Sequence, residues 1–185
     1  MTLVCCTLTD EFSVISGDTH VSNENGTSRT DRKIFKYDDM LIGGAGSGGI
    51  ITVIPQLLGN YQKETAERHM QAVANIFKSS GEKVIESKYS QLLYVSKDKF
   101  GPFLGVVDTR GDHQILRKGH KQPFIIWKGI GEPDVELLKS CCSPKLMKNL
   151  NIDTAKKIHE DYITKVSRQT ISVNDKVIHE ELSYK

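Results

Sequence analysis

Hydrophobic positions recur along the chain with the spacing of strands in some segments and of helices in others. The first segments are strand-like. Residues 2–9 and 12–18 predict a hairpin, and 33–37 and 40–45 predict two further strands after a polar connection at 22–32.

Helical spacing begins after these strands. Apolar residues recur every three or four positions over 50–61, where Pro55 is compatible with a helix only close to its first turn. A second helix is predicted over 65–79. Its inward-facing residues are expected to be Ala66, Met70, Val73, Ala74 and Phe77.

The second half of the chain repeats this alternation. Four strands are predicted, at 91–96, 103–108, 114–118 and 124–128, with Arg110-Gly111-Asp112 as a turn. Two helices follow at 133–142 and 153–166, where Pro133 suits a first helical position and Asp153 an N-cap. The chain ends in a predicted hairpin of 170–173 and 177–182.

The order of these elements predicts an α+β fold. Strands, two helices, strands, two helices and strands are expected of a four-layer αββα sandwich, in which helices cover two stacked antiparallel sheets. The length of 185 residues, with 38% hydrophobic residues, agrees with a single domain spanning 1–185. No stretch is long enough to span a bilayer, so no membrane association is expected.

The composition bears on which partners and which cellular compartment are expected. The net charge is +2 and the basic residues are spread through the chain, so no nucleic-acid partner is expected. The N-terminus has no secretory pattern, and the cysteines form the adjacent pairs Cys5-Cys6 and Cys141-Cys142. Small buried thiols in a reducing cytoplasm are the favoured interpretation.

Motifs for cofactors and metals are missing from the sequence. The glycine-rich segment 43–49 has neither form of the phosphate-binding glycine motif. The six histidines are scattered, without the spacing of a zinc site, and are expected at the surface: His20, His69, His113, His120, His159 and His179. We therefore expect neither a cofactor nor a metal ion.

Residues near the start of the chain form a candidate catalytic site. If Met1 is removed, Thr2 becomes an N-terminal residue with a hydroxyl nucleophile and an α-amine able to deprotonate it. A threonine hydroxyl is a poor nucleophile at neutral pH, so a base and a positive field are needed beside it. Asp18 and Lys33 are the candidate companions.

This region resembles the β-type subunits of proteasomes, and most closely the bacterial peptidase that pairs with a hexameric heat-shock ATPase. The matching segments are Thr2-Leu3-Val4, Val14-Ile15-Ser16-Gly17-Asp18, Lys33-Ile34-Phe35-Lys36 and Leu41-Ile42-Gly43-Gly44-Ala45-Gly46. The family places its aspartate sixteen positions after the nucleophile, and Asp18 lies sixteen after Thr2. The fold implied is that of the N-terminal nucleophile (Ntn) hydrolases.

The resemblance also implies roles and partners. Thr2 would be the nucleophile of a threonine peptidase, Lys33 beside Asp18 would supply the positive field, and the backbone N–H of Gly46 would stabilise the oxyanion. Residues such as His20, Val21 and Ala45 would line the substrate cleft. Such subunits form rings around their active sites, so we expect a homo-oligomeric ring, polypeptide substrates and an ATP-dependent unfoldase as partner.

Two supporting residues of the family are missing. The family has a serine inside a Gly-Ser-Gly turn, and the corresponding turn here is Gly129-Ile130-Gly131, so Ile130 stands in the serine's place and cannot hydrogen-bond. A second aspartate usually lies near the C-terminus. The equivalent stretch, Val166-Ser167-Arg168-Gln169-Thr170, has no carboxylate.

Three alternatives therefore stay open. In a different alignment of the first strand, Met1 takes the nucleophile's place and one residue is added near 9–11. A proteasome-like scaffold or binding protein without activity would explain the two missing residues. A stand-alone amidase acting on small molecules would use the same nucleophile.

Overall fold

The computed structural model describes most of the chain. The described residues are 3–22, 28–46, 48–59, 66–79, 90–117, 125–131, 134–171 and 173–184. Among them are eleven strands and five helices.

A four-stranded antiparallel sheet contains the predicted first hairpin. Strand β1 (Leu3–Thr9) and strand β2 (Phe12–Asp18) pair around a turn in which the Thr9 hydroxyl accepts the amide hydrogens of Glu11 and Phe12. Every residue of both strands is buried, because they are the two central strands of the sheet and both faces are covered. The outer strands are β10 (Ile125–Gly131) beside β1 and β11 (Val177–Ser183) beside β2.

The predicted C-terminal hairpin is wrong. Strand β11 pairs with β2, from Val177 opposite Asp18 to Ser183 opposite Phe12, and the described residues among 170–173 form no strand. Val173 is buried in a cluster with helical side chains instead. Its apolar character therefore reflects packing against helices rather than strand pairing.

A short hairpin occupies the predicted polar connection. Strand β3 (His20–Ser22) pairs with strand β4 (Ser28–Thr30) as a separate two-stranded sheet. The sequence pattern does not predict these strands, because they are three residues long and mostly polar and so show little alternation.

The second large sheet has five antiparallel strands in chain order. They are β5 (Ile34–Tyr37), β6 (Met40–Ala45), β7 (Gln91–Asp98), β8 (Gly101–Asp108) and β9 (His113–Arg117). Each predicted strand in this region is confirmed. The predicted turn after β8 is confirmed too, since Gly111 has φ +84° and the Asp108 carboxylate accepts the amide hydrogens of Arg110 and Asp112.

Two helices cover the outer face of the five-stranded sheet. Helix α1 (Gly48–Leu57) begins earlier than predicted, and Pro55 lies two residues before its end rather than in its first turn. Helix α2 (Ala66–Ser79) buries the five predicted residues, Ala66, Met70, Val73, Ala74 and Phe77. They pack against outward-facing residues of the sheet such as Ile42 and Tyr94.

Three helices lie against the four-stranded sheet. They are α3 (Val135–Cys141), α4 (Pro144–Lys148) and α5 (Ile152–Ser167), of which the short α4 was not predicted. The N-cap of α5 is Asn151, whose side chain accepts the Thr154 amide hydrogen, so the assignment of Asp153 as the cap is wrong. None of the described helices is long and apolar enough to cross a membrane.

Three buried layers of side chains confirm the αββα sandwich. One lies between α1, α2 and the five-stranded sheet, a second between the two sheets, and a third between the four-stranded sheet and helices α3 and α5. The middle layer joins Val4, Cys6 and Ile15 of one sheet to Leu41 and Leu93 of the other. The two sheets therefore meet directly through apolar side chains.

The crowding beside Gly105 leads to a stability prediction. A Cβ atom there would lie 2.1 Å from Cε1 of the fully buried Tyr94, whose hydroxyl bonds to Nε2 of His113. We expect Gly105→Ala to lower the free energy of unfolding by about 1–3 kcal/mol, because the ring cannot move without losing its packing. Urea unfolding measures this loss. In a Tyr94→Ala background the same substitution should cost much less, and equal costs in both backgrounds would contradict the prediction.

Candidate active site

A buried ion pair connects the two sheets. The Lys33 ammonium lies 2.9 Å from each carboxylate oxygen of Asp18, and both side chains are 0% exposed. Asp18 is the last residue of β2, and Lys33 directly precedes β5. The fold thus brings together two of the residues that the sequence singled out.

Backbone donors complete the surroundings of the carboxylate. Oδ1 of Asp18 also accepts the amide hydrogen of Leu3, and Oδ2 accepts that of His20, each at 2.9 Å. Each oxygen therefore receives one backbone donor and the Lys33 ammonium. The orientation of the carboxylate is fixed from three directions: the start of β1, the segment after β2 and the segment before β5.

Burial alters the acidity of Lys33. It lowers the pKa of the ammonium from its ordinary value, because the charged form loses its hydration. The charge and hydrogen bonds of Asp18 oppose this effect, as does the more distant charge of Asp31. A lysine held this way keeps a positive charge close to the start of β1 while losing a proton more readily than a solvated lysine.

A glycine allows the sheets to approach each other near this pair. A Cβ atom on Gly43 would lie 2.7 Å from Cγ1 of Val4 and 3.1 Å from Cγ2 of Ile34. Val4 and Ile34 directly follow Leu3 and Lys33 in the chain. A larger residue at position 43 would push the sheets apart where the ion pair spans them.

Gly46 directly follows β6, the strand that pairs with β5 just after Lys33. The amide of Gly44 donates to the carbonyl of Lys33 at 2.9 Å, and Gly46 lies two residues further on with φ +119°. A Cβ atom at Gly46 would lie 2.4 Å from Oγ and 2.6 Å from Cα of Ser90. Both the backbone conformation and the close approach of Ser90 require glycine at this position.

Thr2, the fourth candidate residue, lies outside the described residues. Its neighbour Leu3 is described, and the amide that Leu3 donates to Asp18 belongs to the peptide bond between residues 2 and 3. The expected cleft residues Val21 and Ala45 are buried at 3% and 1% exposure, and His20 is half-buried.

Ile130 lies in a strand and not in the predicted turn. It pairs with Val4 inside β10, is 1% exposed and belongs to the apolar layer between the sheets. The strand ends three residues later than the predicted 124–128, which is why the turn assignment of Gly129-Ile130-Gly131 is wrong. The side chain at this position contributes packing and no hydrogen bond.

A second polar network is buried on the helical side of the four-stranded sheet. His159 of α5 is 0% exposed, with Nε2 at 2.8 Å from the Thr7 hydroxyl and Nδ1 at 2.6 Å from the Ser16 hydroxyl. His179 reaches the same Ser16 oxygen through Nδ1 and contacts Glu160 through Nε2. The prediction that His159 is a surface residue is therefore wrong. His120 lies outside the described residues.

The four cysteines are free thiols. Cys5, Cys6 and Cys141 are buried, as predicted, while Cys142 is partly exposed. Burial raises the pKa of Cys5 and Cys6 well above the ordinary value of a thiol, so both remain protonated. Within the described part of the chain, no group of three or more His, Cys, Asp and Glu side chains is placed to hold a metal ion.

Solved structures with the same architecture identify the fold. Anbu (ancestral beta-subunit) from Yersinia bercovieri superimposes with a TM-score of 0.76 at 13% identity, covering 98% of this chain and 82% of that one. Eukaryotic HslV from Trypanosoma brucei gives a TM-score of 0.65 at 17% identity, covering 99% of this chain and 100% of that one. Anbu from Hyphomicrobium sp. strain MC1 gives 0.68 at 14% identity, covering 100% and 82%.

These similarities define the class of fold. The chain has the αββα fold of the proteasome-like Ntn hydrolases, as the resemblance in its first quarter predicted. Within that class its architecture is similar to Anbu and HslV. No protein-family model matches the sequence, and no curated protein matches it.

Proposed function

We propose that this chain is an N-terminal threonine hydrolase that cleaves amide bonds in polypeptides. Thr2, exposed by removal of Met1, is the nucleophile; Asp18 and Lys33 are its charged companions, and the Gly46 amide is the oxyanion donor. The fold agrees with this proposal but does not establish activity, since one fold can host many functions.

One observation carries the proposal: the hydrogen bond from the Leu3 amide to a carboxylate that also holds a buried lysine. This bond supports Thr2 rather than Met1 as the nucleophile position, because Thr2 is bonded directly to Leu3 and Met1 is one residue further away. A buried ion pair is costly to maintain, so a pair at the start of the chain needs a reason beyond stability.

The reaction follows from these groups. The Thr2 α-amine takes the hydroxyl proton as Oγ1 bonds to the substrate carbonyl carbon, and the positive charge of Lys33 favours the alkoxide that develops. The Gly46 N–H stabilises the tetrahedral oxyanion. Collapse breaks the C–N bond, the α-ammonium protonates the leaving amine, and water then hydrolyses the ester on Thr2.

We further propose that the chain works as a subunit of a homo-oligomeric ring in the cytoplasm, with an ATP-dependent unfoldase as partner. The similarity to Anbu and HslV along almost the whole chain supports this assembly. The four free cysteines suit a reducing compartment. Native mass spectrometry measures the assembly, and a monomer at working concentration would contradict the ring.

A catalytically inactive scaffold is the second candidate, and Ile130 is the observation in its favour. An isoleucine in the apolar layer between the sheets offers no hydrogen bond where the family has a serine. In that case the fold would be retained for binding or assembly, and the Asp18–Lys33 pair would serve only to join the two sheets.

Intact mass and covalent labelling distinguish the two candidates. We expect the mature chain to have lost one methionine, and a peptide vinyl sulfone to add its mass at Thr2. Thr2→Ala should abolish the adduct, whereas Thr2→Ser should retain it because the hydroxyl and the α-amine are both kept. A trimmed chain that forms no adduct and cleaves no peptide would overturn the hydrolase and leave the scaffold.

A further inference from the structure

An asparagine far along the chain is bonded to the residue that follows Asp18. The amide nitrogen of Thr19 lies 3.1 Å from Oδ1 of Asn174, and Nδ2 of Asn174 lies 3.0 Å from the Thr19 hydroxyl. The two residues are separated by 155 positions in sequence. Because an amide side chain offers a donor and an acceptor together, Asn174 holds Thr19 at two points.

Thr19 is also bonded to the segment that leads to Lys33. Its carbonyl accepts the amide hydrogen of Asp31 at 2.9 Å, and Asp31 lies two residues before Lys33. Thr19 is 1% exposed, so its backbone and hydroxyl groups depend on protein partners instead of water. Three segments therefore meet at this residue: the end of β2, the approach to β5 and the approach to β11.

The carboxylate of Asp18 depends on the placement of Thr19. Its Oδ2 accepts the amide hydrogen of His20, the residue after Thr19, while Oδ1 accepts that of Leu3. A shift of Thr19 moves the His20 amide and rotates the carboxylate against the Lys33 ammonium. The hydrogen bonds between Asn174 and Thr19 oppose that shift.

We propose that Asn174 is a positioning residue for the Asp18–Lys33 pair and, through it, for the attack by Thr2. The proposal rests on the proposed hydrolase function. Among the described residues, Asn174 is hydrogen-bonded to Thr19, so it acts on the pair through that residue. It holds Thr19, which sets the geometry of the carboxylate and hence the field that Lys33 provides at the start of β1.

Loss of the contact between Asn174 and Thr19 is expected to slow the reaction at Thr2 and to leave the binding of the vinyl sulfone unchanged. Asn174→Ala leaves the buried Thr19 amide without its acceptor and loosens the segment from 18 to 20. Misplacement of a catalytic group by about 1 Å costs roughly 100-fold in rate, so we expect labelling at Thr2 to slow by roughly 10- to 100-fold. The apparent affinity for the vinyl sulfone should stay within about twofold, since a positioning role changes the reaction step alone.

The experiment compares three variants of the full chain in its native assembly. Asn174→Ala removes both contacts. Asn174→Asp retains oxygen acceptors for the Thr19 amide and hydroxyl, so it should recover most of the rate. Asn149→Ala is the control, because the Asn149 side chain is exposed and donates a hydrogen bond to the Lys145 carbonyl of its own helix turn. It should label like the unsubstituted chain.

A second measurement reports on the ion pair without any catalysis. The ¹³Cε signal of Lys33, assigned with Lys33→Met, gives its pKa by titration. In Asn174→Ala we expect that pKa to fall further, since a displaced Asp18 stabilises the ammonium less. If the unsubstituted chain forms no adduct, the proposed function fails, and the shift of this pKa still supports the positioning of the pair. An unchanged Lys33 pKa, or unchanged labelling in Asn174→Ala, would overturn the inference.

Discussion

Lys33→Met should abolish labelling at Thr2 and lower the free energy of unfolding by about 3–5 kcal/mol. The loss of stability is expected because the substitution leaves the Asp18 carboxylate buried without its counter-charge, and breaking a buried pair from one side costs this much. The loss of labelling is expected because the hydroxyl of Thr2 loses the positive field that favours its alkoxide. Urea unfolding and intact mass after vinyl sulfone treatment measure the two effects.

A double substitution separates these two consequences. In Asp18→Leu with Lys33→Met, both charges are replaced by apolar side chains of comparable size, which is often neutral or stabilising for a buried pair. The amides of Leu3 and His20 still lose their acceptor in this variant, so we expect stability to return only part of the way to that of the original chain while labelling stays absent. Full recovery of both stability and labelling in the double variant would show that the Asp18–Lys33 pair only stabilises the fold.

The neighbouring exposed lysine provides the control. Lys36 lies three residues after Lys33 on β5 and is exposed. Lys36→Met should change stability by less than about 0.5 kcal/mol and leave labelling intact, as surface substitutions usually do. Labelling in Lys33→Met at the rate of Lys36→Met would contradict the role assigned to Lys33.

The pairing of Asp18 with Lys33 was expected from the resemblance of residues 2–46 to a known family, and not from the hydrophobic pattern alone. Asp18 is the last residue of β2, and the register of the hairpin of β1 and β2 places it near the start of the chain. The buried face of helix α2 could be predicted from the sequence alone, because its buried residues follow helical spacing without interruption. In this helix the pattern within one short segment determines which face is buried.

Contacts between distant segments could not be predicted in this way. Asn174 reaches Thr19 across 155 positions, and His159 reaches Ser16 across 143. For neither Asn174 nor His159 does the surrounding sequence pattern predict which residue it contacts. The true place of Ile130 was missed for a related reason: the glycines on both sides of it suggested a turn, whereas its pairing with Val4 extends the strand.

The buried His159 should make the protein unstable in acid. Burial, and secondarily the nearby His179, lowers the pKa of His159 to about 3 from its ordinary value of 6.5, so the folded protein keeps the ring neutral. The unfolded chain binds a proton at that ring below about pH 6.5. Between pH 6.5 and 3 the unfolded state therefore holds the extra proton, and stability falls as the pH falls. The integrated loss is on the order of 4 kcal/mol.

The hydrogen bonds of His159 are satisfied by a neutral ring, and the burial of the ring is what opposes a second proton. Ser16 has one hydroxyl proton and lies between Nδ1 of His159 at 2.6 Å and Nδ1 of His179 at 2.7 Å, so one of the two rings must donate its own Nδ1 proton to the serine oxygen. A neutral His159 satisfies Ser16 and Thr7 with one donor and one acceptor. A charged ring would need two acceptors and would stay without water around it.

His159→Gln tests this account, because glutamine keeps a donor and an acceptor but does not titrate. Its free energy of unfolding should be lower than that of the original chain at pH 7, through imperfect packing, and should fall less steeply between pH 6.5 and 4. Tyr162→Phe, on the same helix, is the control. Burial raises the pKa of Tyr162 to about 12, so its removal should shift stability equally across the acid range. If the free energy of unfolding falls with pH equally in His159→Gln and in the original chain, His159 is not the group that makes the fold sensitive to acid.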